Sequence, residues 1–340
     1  MVTVSHRYLV RLCLIVLCLS VPGGCATTAG LLGLGQQKSQ SLQAASCKDD
    51  SAKSPLGLWG SISGNLLARS TGVAAGGVPD SGYIQLLSPV AVASRANELF
   101  IADAGQQAIL KFDRGTQTAR IFARVPGMNM RAGLYIDRAL ALYLVDPFAA
   151  KVIQFDIDGK PLQSFENSTE LPQPIAMVVN DNRGEIFIGD QLTAHILVFD
   201  RAGLVTRAIG ADIAGGARFQ SIIAMASGPD QLFISDRLAR QVHALAPDGE
   251  YRFGFGEDEL ISPGAVATDR HNRVFVADTG DNTIKVYRGG QLEAIVGAPN
   301  DPVGLAFQQI SDLWLSDGLL YVADAARASI DILRVVPPCQ

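Results

Sequence analysis

Val274-Phe275-Val276-Ala277-Asp278-Thr279-Gly280-Asp281-Asn282-Thr283-Ile284-Lys285-Val286-Tyr287 opens with β-branched and aromatic residues and breaks at a polar turn around Gly280. It then resumes with apolar side chains at Ile284 and Val286. Strand, turn and strand is the signature of a β-hairpin, and the alternation predicts that one face of the second strand packs. The same phrase returns along the chain. Asp103, Asp146, Asp190, Asp236, Asp278 and Asp324 recur at intervals of 43, 44, 46, 42 and 46 residues. Three residues before each stands an aromatic (Phe100, Tyr143, Phe187, Phe233, Phe275, Tyr321), and six after each a β-branched residue (Ile109, Val152, Ile196, Val242, Ile284, Ile330).

Upstream of the hairpins, Pro89-Val90-Ala91-Val92-Ala93, Pro174-Ile175-Ala176-Met177-Val178, Pro263-Gly264-Ala265-Val266-Ala267 and Pro302-Val303-Gly304-Leu305-Ala306 read as another strand, with small side chains suited to a crowded inner position. Downstream, Ala119-Arg120-Ile121-Phe122-Ala123 and Gly249-Glu250-Tyr251-Arg252-Phe253 read as a fourth. Four strands per repeat, six repeats and no helical period predict an all-β chain, a six-bladed β-propeller of four-stranded blades over residues 55–340.

The blade containing Pro263 to Tyr287 resembles the NHL repeat, and the resemblance extends over residues 88–335. Blade 4 departs from it, with Gln220-Ser221-Ile222 in place of the opening proline and Leu245-Ala246 in place of the aromatic and aspartate. The resemblance implies the propeller but names no ligand, because the fold hosts unrelated functions. Six-bladed propellers related to the pattern include calcium-dependent lactonases and esterases and a zinc lyase, with a metal held near the axis. Such a site needs acidic, amide or imidazole side chains at the ends of inner strands. Here the inner strands read Val90-Ala91-Val92, Leu134-Tyr135-Ile136, Ile175-Ala176-Met177, Ile222-Ile223-Ala224, Ala265-Val266-Ala267 and Val303-Gly304-Leu305, which supply none.

His195, His243 and His271 are read as scattered surface residues, and no Gly-x-Ser-x-Gly elbow accompanies them. The six repeated aspartates are read as staples that accept backbone N–H bonds in the turn after their strand. No catalytic residue, cofactor or metal ligand is therefore assigned.

His6 to Arg11 and Leu12 to Leu19 form a basic region and a short apolar core, the layout of an export leader. Val21-Pro22-Gly23-Gly24-Cys25 resembles a bacterial lipobox, although Pro22 stands where an aliphatic residue is usual. The expected division is a leader over 1–24, a lipidated Cys25 with a flexible tether over 25–54, and then the propeller; ordinary leader cleavage nearby is the alternative. In lipoproteins, absence of aspartate after the cysteine, here Ala26, implies sorting to the outer membrane. Cys47 and Cys339 remain as an even pair in an exported chain, which suggests a disulfide. No fourth strand follows Ser329 to Val335, so the amino terminus must close the ring. Pro55 to Ser63 ranks first for that strand, placing Cys47 beside Cys339, and Tyr83 to Leu87 ranks second.

The formal net charge is −5, falling to −7 without Arg7 and Arg11, so no basic field exists to hold nucleic acid. Recognition is expected on the face shared by the turns after the second strands and the loops joining the blades. Met128, Met130, Arg131, Phe148, Leu192, Arg218, Phe219, Arg237, Arg240 and Arg327 are the candidates there, an interface composition of arginine with aromatic and apolar residues. Glu257-Asp258-Glu259 is opposite in sign. Gln308 to Gly318 reads as an insertion carrying Trp314, either exposed on the other face or buried against its blade. The expected function is a membrane-anchored binding or scaffold protein of the bacterial envelope, taking a protein or polysaccharide partner. The alternative is a metal-dependent lactonase or esterase-like hydrolase.

Overall fold

In the computed structural model, residues 54–68, 82–210, 219–301 and 304–337 are described, and each repeat forms one antiparallel sheet whose strands run outward in chain order. Blade 5 is representative: Pro263–Thr268 is innermost, then Arg273–Asp278, Thr283–Arg288 and Gln291–Val296. The six inner strands contact one another in sequence, and that of blade 6, Ile310–Ser316, meets that of blade 1, Pro89–Arg95. The result is a closed six-bladed ring. Cys25, Cys47, Arg218 and Cys339 lie outside the described residues, and with them the leader, the tether and the cysteine pairing.

Sheets stacked face to face explain the burial. Six apolar clusters lie one between each pair of neighbouring blades, such as Phe100, Ile109 and Phe122 of blade 1 against Leu134, Leu142 and Phe155 of blade 2. Middle strands are consequently covered on both faces, and Arg273–Asp278 is buried throughout. The single packed face read from alternation holds only for outer strands such as Gln291–Val296. Each repeated aromatic fills one of these seams; Tyr143, Phe275 and Tyr321 are fully buried, and truncating any of them to alanine removes about 3–5 kcal/mol. Between the outer strands of blade 2, Gly159 has φ +84° and lies so close to blade 1 that a Cβ would overlap the Phe122 carbonyl.

Leu56–Ser63 pairs antiparallel with Ser329–Val335 as the outermost strand of blade 6, in register from Leu56 with Val335 to Ser63 with Ser329. Tyr83–Gln85, the second-ranked segment, lies instead outside blade 1. It pairs with Asn65–Ala68, which pairs parallel with the blade's own fourth strand, Thr118–Arg124.

The inner strand of blade 6 was expected at Val303 to Leu305 but runs over Ile310–Ser316. The extra residues therefore lie in the connector before that strand, where Leu305 and Phe307 are buried. Proline set the expected register, but pairing follows the apolar residues opposite Leu319–Asp324, such as Leu313 with Val322.

The aspartate staples have two arms. Asp278 accepts the Gly280 N–H of its own turn at 2.9 Å and the Ile261 and Ser262 N–H groups of the incoming connector at 2.7 and 2.8 Å. Asp103, Asp190, Asp236 and Asp324 likewise bind both a turn and a connector. Among the described residues Asp146 bonds its turn, at Phe148 and Ala149, and no connector. Burial pushes the Asp278 carboxyl up, but Lys285 and the three backbone donors outweigh it and hold it below the usual carboxylate range. Connectors and turns on this face are thereby fixed to each other, giving a rigid platform.

Candidate functional site

Two residues after each repeated aspartate, the turn holds Gly105, Phe148, Leu192, Leu238, Gly280 and Ala326 in blades 1 to 6. Phe148, Leu192 and Leu238 are exposed by 76, 69 and 67%. In blades 1 and 5, where the turn residue is glycine, the incoming connector supplies the large side chain. Leu87 and Ile261 lie over Gly105 and Gly280 so closely that a Cβ on either glycine would collide with them, and both remain exposed. Blades 3 and 4 invert the arrangement, with Gln173 and Gln220 at the connector position. Five successive blades thus each present one large apolar residue, and blade 6 breaks the series with Gln308 and Ala326. Exposed Ile157 and Leu204, in turns between third and fourth strands, have Arg201 and Lys160 at the equivalent places in each other's blades.

Inside this crown a cavity of about 830 Å³ runs along the axis. Its wall is formed largely by the inner strands of the blades, with apolar side chains such as Ile175, Met177, Ile223 and Leu313 among the lining residues. Its charged lining among the described residues is Arg95, Arg131, Arg237 and Asp312. None of the three arginines is in an ion pair among the described residues. Arg237 is half-buried and donates through Nε to the Pro263 carbonyl at 3.4 Å. Burial, together with the nearby charge of Arg131, holds its guanidinium below the usual range. Gln308, Gln309, Thr279 and Asn282 complete the polar part of this end.

The shifted register of blade 6 puts Ser311, Asp312 and Trp314 on an inner strand that was expected to be wholly apolar. The Asp312 carboxylate accepts the Val92 N–H of blade 1 at 2.9 Å and the Leu313 N–H at 2.8 Å. Burial raises its pKa to about 7 against those two bonds. Ser311 Oγ donates to the Pro89 carbonyl at 2.9 Å, and Trp314 Nε1 to the Ser94 carbonyl at 2.8 Å. The indole is half-buried, with its ring edge-on to Tyr135 at 5.3 Å. All three side chains sew the blade 6 to blade 1 seam, and Asp312 and Trp314 also face the axial space.

The ten expected binding-face residues divide accordingly. Met130, Arg131, Phe148, Leu192 and Arg237 are exposed or half-buried on the platform or at the cavity. Met128 and Phe219 are core residues, 4 and 3% exposed, packed into the seams of blades 1 with 2 and 3 with 4. Their connectors fold inward, so apolar residues in a loop cap the seam below it. Arg240 and Arg327 are exposed but committed: Arg240 Nε donates to the Leu260 carbonyl at 2.9 Å, and Arg327 Nη1 to the Ala306 carbonyl and to Asp331. Leu87, Leu238 and Ile261 were missed; comparison of turn and connector positions across blades is the signal that finds them.

His243 is not on the surface. It is fully buried between Phe219 and Tyr251, with Nε2 3.4 Å from Asp236 Oδ2. Burial raises the Asp236 carboxyl, and His243 with the Gln220, Ala239 and Ser221 amides lowers it further, to a net depression. The pair lies within blade 4, away from the axial cavity. His195 is half-buried and His271 exposed, and neither lines that cavity. Among the described residues no group of three or more His, Cys, Asp or Glu side chains is placed to hold a metal.

No protein-family profile matches the chain, and no curated protein matches it in sequence. Solved structures do match in fold. A Bacteroides thetaiotaomicron protein of unknown function is similar with TM-score 0.62 and 13% identity, covering 82% of this chain and 76% of that one. Staphylococcus aureus virginiamycin B lyase is similar with TM-score 0.55 and 11% identity, covering 74% of this chain and 96% of the lyase. A catalytically inactive histidine-to-alanine variant of that lyase, bound to quinupristin, gives TM-score 0.55 at 13% identity over 76 and 83% of the two chains. At these identities the likeness is one of fold.

Proposed function

We propose that the protein is a binding or scaffold protein of the bacterial envelope, carried on a lipidated Cys25, whose stapled platform engages a partner across the apolar crown. The crown carries the proposal. A monomeric surface rarely concentrates large exposed apolar side chains in one place unless something covers them, and here five blades place one each around a common axis. Catalysis does not account for such a rim, whereas a macromolecular interface with a cationic centre does. Support for the anchor comes from Val21 to Cys25 alone, and support for the outer membrane from Ala26. A protein partner fits the apolar rim better than a polysaccharide.

The test is affinity capture of the exported protein from detergent-solubilised envelope, wild type against Phe148→Ser/Leu192→Ser/Leu238→Ser. All three side chains are exposed, so the variant keeps its melting temperature, and a partner held by the wild type is lost. A partner retained by the folded variant refutes the assignment of this face. One observation favours a second reading, hydrolysis or lyase chemistry at the axis: Asp312 is a half-buried carboxyl on the cavity wall with its pKa raised to about 7, as acid–base catalysts have. An ester and lactone screen with and without EDTA tests it, and activity abolished in Asp312→Asn would support it.

A further inference from the structure

The axial cavity is most distinctive in its charge. Three arginines face it, none ion-paired among the described residues, and the only acid of its described lining, Asp312, is engaged by two backbone N–H groups. A second cavity of about 550 Å³, lined by residues of the opposite face, shares Arg95 and adds Arg138, Arg183 and Arg270 against Asp181 and Asp269, but Arg138 and Arg183 are ion-paired. There Asp181 pairs with Arg138 and Arg201, and Asp269 with Arg273. Where this fold needs an arginine for structure it supplies an anion or a carbonyl, as it does for Arg201, Arg207, Arg273 and Arg327. Arg131 has no such partner among the described residues. Arg237 has, among the described residues, one long side-chain bond to a carbonyl, and it shares the cavity lining with Arg131, whose charge reaches it.

Two guanidinium groups lining one cavity, with no ion-pair partner among the described residues, are placed to receive an anion that reaches both. Planar guanidinium matches a carboxylate, with two parallel N–H···O bonds available from each arginine. Thr279, Asn282, Gln308 and Gln309 add neutral hydrogen-bonding groups at the same end. Around it stand Leu87, Phe148, Leu192, Leu238 and Ile261. An anion entering the cavity therefore belongs to a chain with apolar residues on either side of its charge, which describes a polypeptide better than a uronic-acid glycan.

We infer that the axial cavity is an acceptor for a carboxylate of a polypeptide partner, held by Arg131 and Arg237 while apolar residues flanking it in the partner lie on the crown. This rests on the crown being a binding face and adds the chemistry of what it binds. The break in the crown at blade 6, where Gln308 and Ala326 replace a large apolar residue, gives the partner chain a place to cross the rim.

The experiment is selection of a displayed random heptapeptide library on the full exported protein, in parallel with Arg131→Gln/Arg237→Gln and with Arg131→Gln alone. The single variant alters an exposed side chain and keeps the comparison usable if the double variant folds poorly. Enrichment of Asp or Glu among apolar residues on the wild type, lost on the variants, is expected. A synthesised winner should bind at least ten-fold more weakly to the double variant and lose affinity with added salt. Apolar peptides without acidic enrichment, or acidic enrichment that survives neutralisation of both arginines, overturn the carboxylate acceptor while leaving the crown intact. Failure to select any peptide, with or without binding of oligogalacturonate measured by calorimetry, overturns the polypeptide assignment. Envelope capture with the crown variant judges the crown separately.

Discussion

Asp312→Asn separates the cost of a buried charge from the value of the hydrogen bonds around it. The carboxyl has an ordinary value near 3.9 in the unfolded chain and about 7 in the fold. Below pH 4 both states hold the proton. Between pH 4 and 7 the unfolded chain releases it and the fold does not, so stability falls across this window and levels off above it. At 1.36 kcal/mol per pH unit the full gap is about 4 kcal/mol, and water reaching the carboxylate through the cavity reduces it to ~2 kcal/mol. Asparagine does not titrate, but it presents only one acceptor where the carboxylate serves both Val92 and Leu313. Leaving one of these N–H groups unpaired costs about 1 kcal/mol at every pH. The variant should therefore be less stable than the wild type by about 1 kcal/mol at pH 3 and more stable by about 1 kcal/mol at pH 8.5. Urea unfolding of both proteins at five pH values checks this, because the other acids cancel in the difference. A difference that stays constant from pH 3 to 8.5 refutes the raised carboxyl.

Lys285→Met leaves Asp278 buried with its charge uncompensated and should cost about 3–5 kcal/mol at pH 7. Asp278 is held below the usual range, so the loss in urea midpoint shrinks as pH falls below 4 and the carboxylate protonates. Gly159→Ala places a methyl on the Phe122 carbonyl at φ +84° and should cost about 2–4 kcal/mol, read as a fall in melting temperature; an unchanged melting temperature would show that the two blades part easily at that point. Cys47 and Cys339 should be oxidised in exported protein, with reductant removing about 4 kcal/mol on the chain-entropy view. The facing of Leu56 with Val335 brings the two flanks to one end of blade 6, and free thiols at both positions in labelling and mass spectrometry would contradict the pairing.

The ring was legible because its signal is redundant: six copies of one hairpin fix period, strand count and the aromatic in every seam. The register of blade 6 was not legible, because Pro302 imitates the prolines that open blades 1, 3 and 5 while the strand that pairs begins eight residues further on, at Ile310. Misplacing that strand hid Asp312 and Trp314 from the inner wall. Burial of His243, Met128 and Phe219 was equally hidden, since a seam between blades is made by two repeats and neither alone shows what covers it. The crown was present in the sequence but distributed over two alternative positions, turn and connector, so no single column of the repeat displays it. Arg240 and Arg327 matched the chemistry of an interface and turned out to bind backbone carbonyls, a use that side-chain type cannot reveal.

Leu56–Ser63 emerges first from any machinery that handles the chain from its amino terminus, and its partner Ser329–Val335 last, about 270 residues later. Until then the array is an open arc with an unsatisfied strand edge at each end, the kind of surface on which other chains add. Were the chain exported unfolded, as proposed above, that danger would be postponed to the compartment of arrival, where the two ends come within reach of each other at once. Closure is then the concluding event of maturation, and a chain shortened at either extremity would persist as an arc prone to joining its neighbours instead of itself.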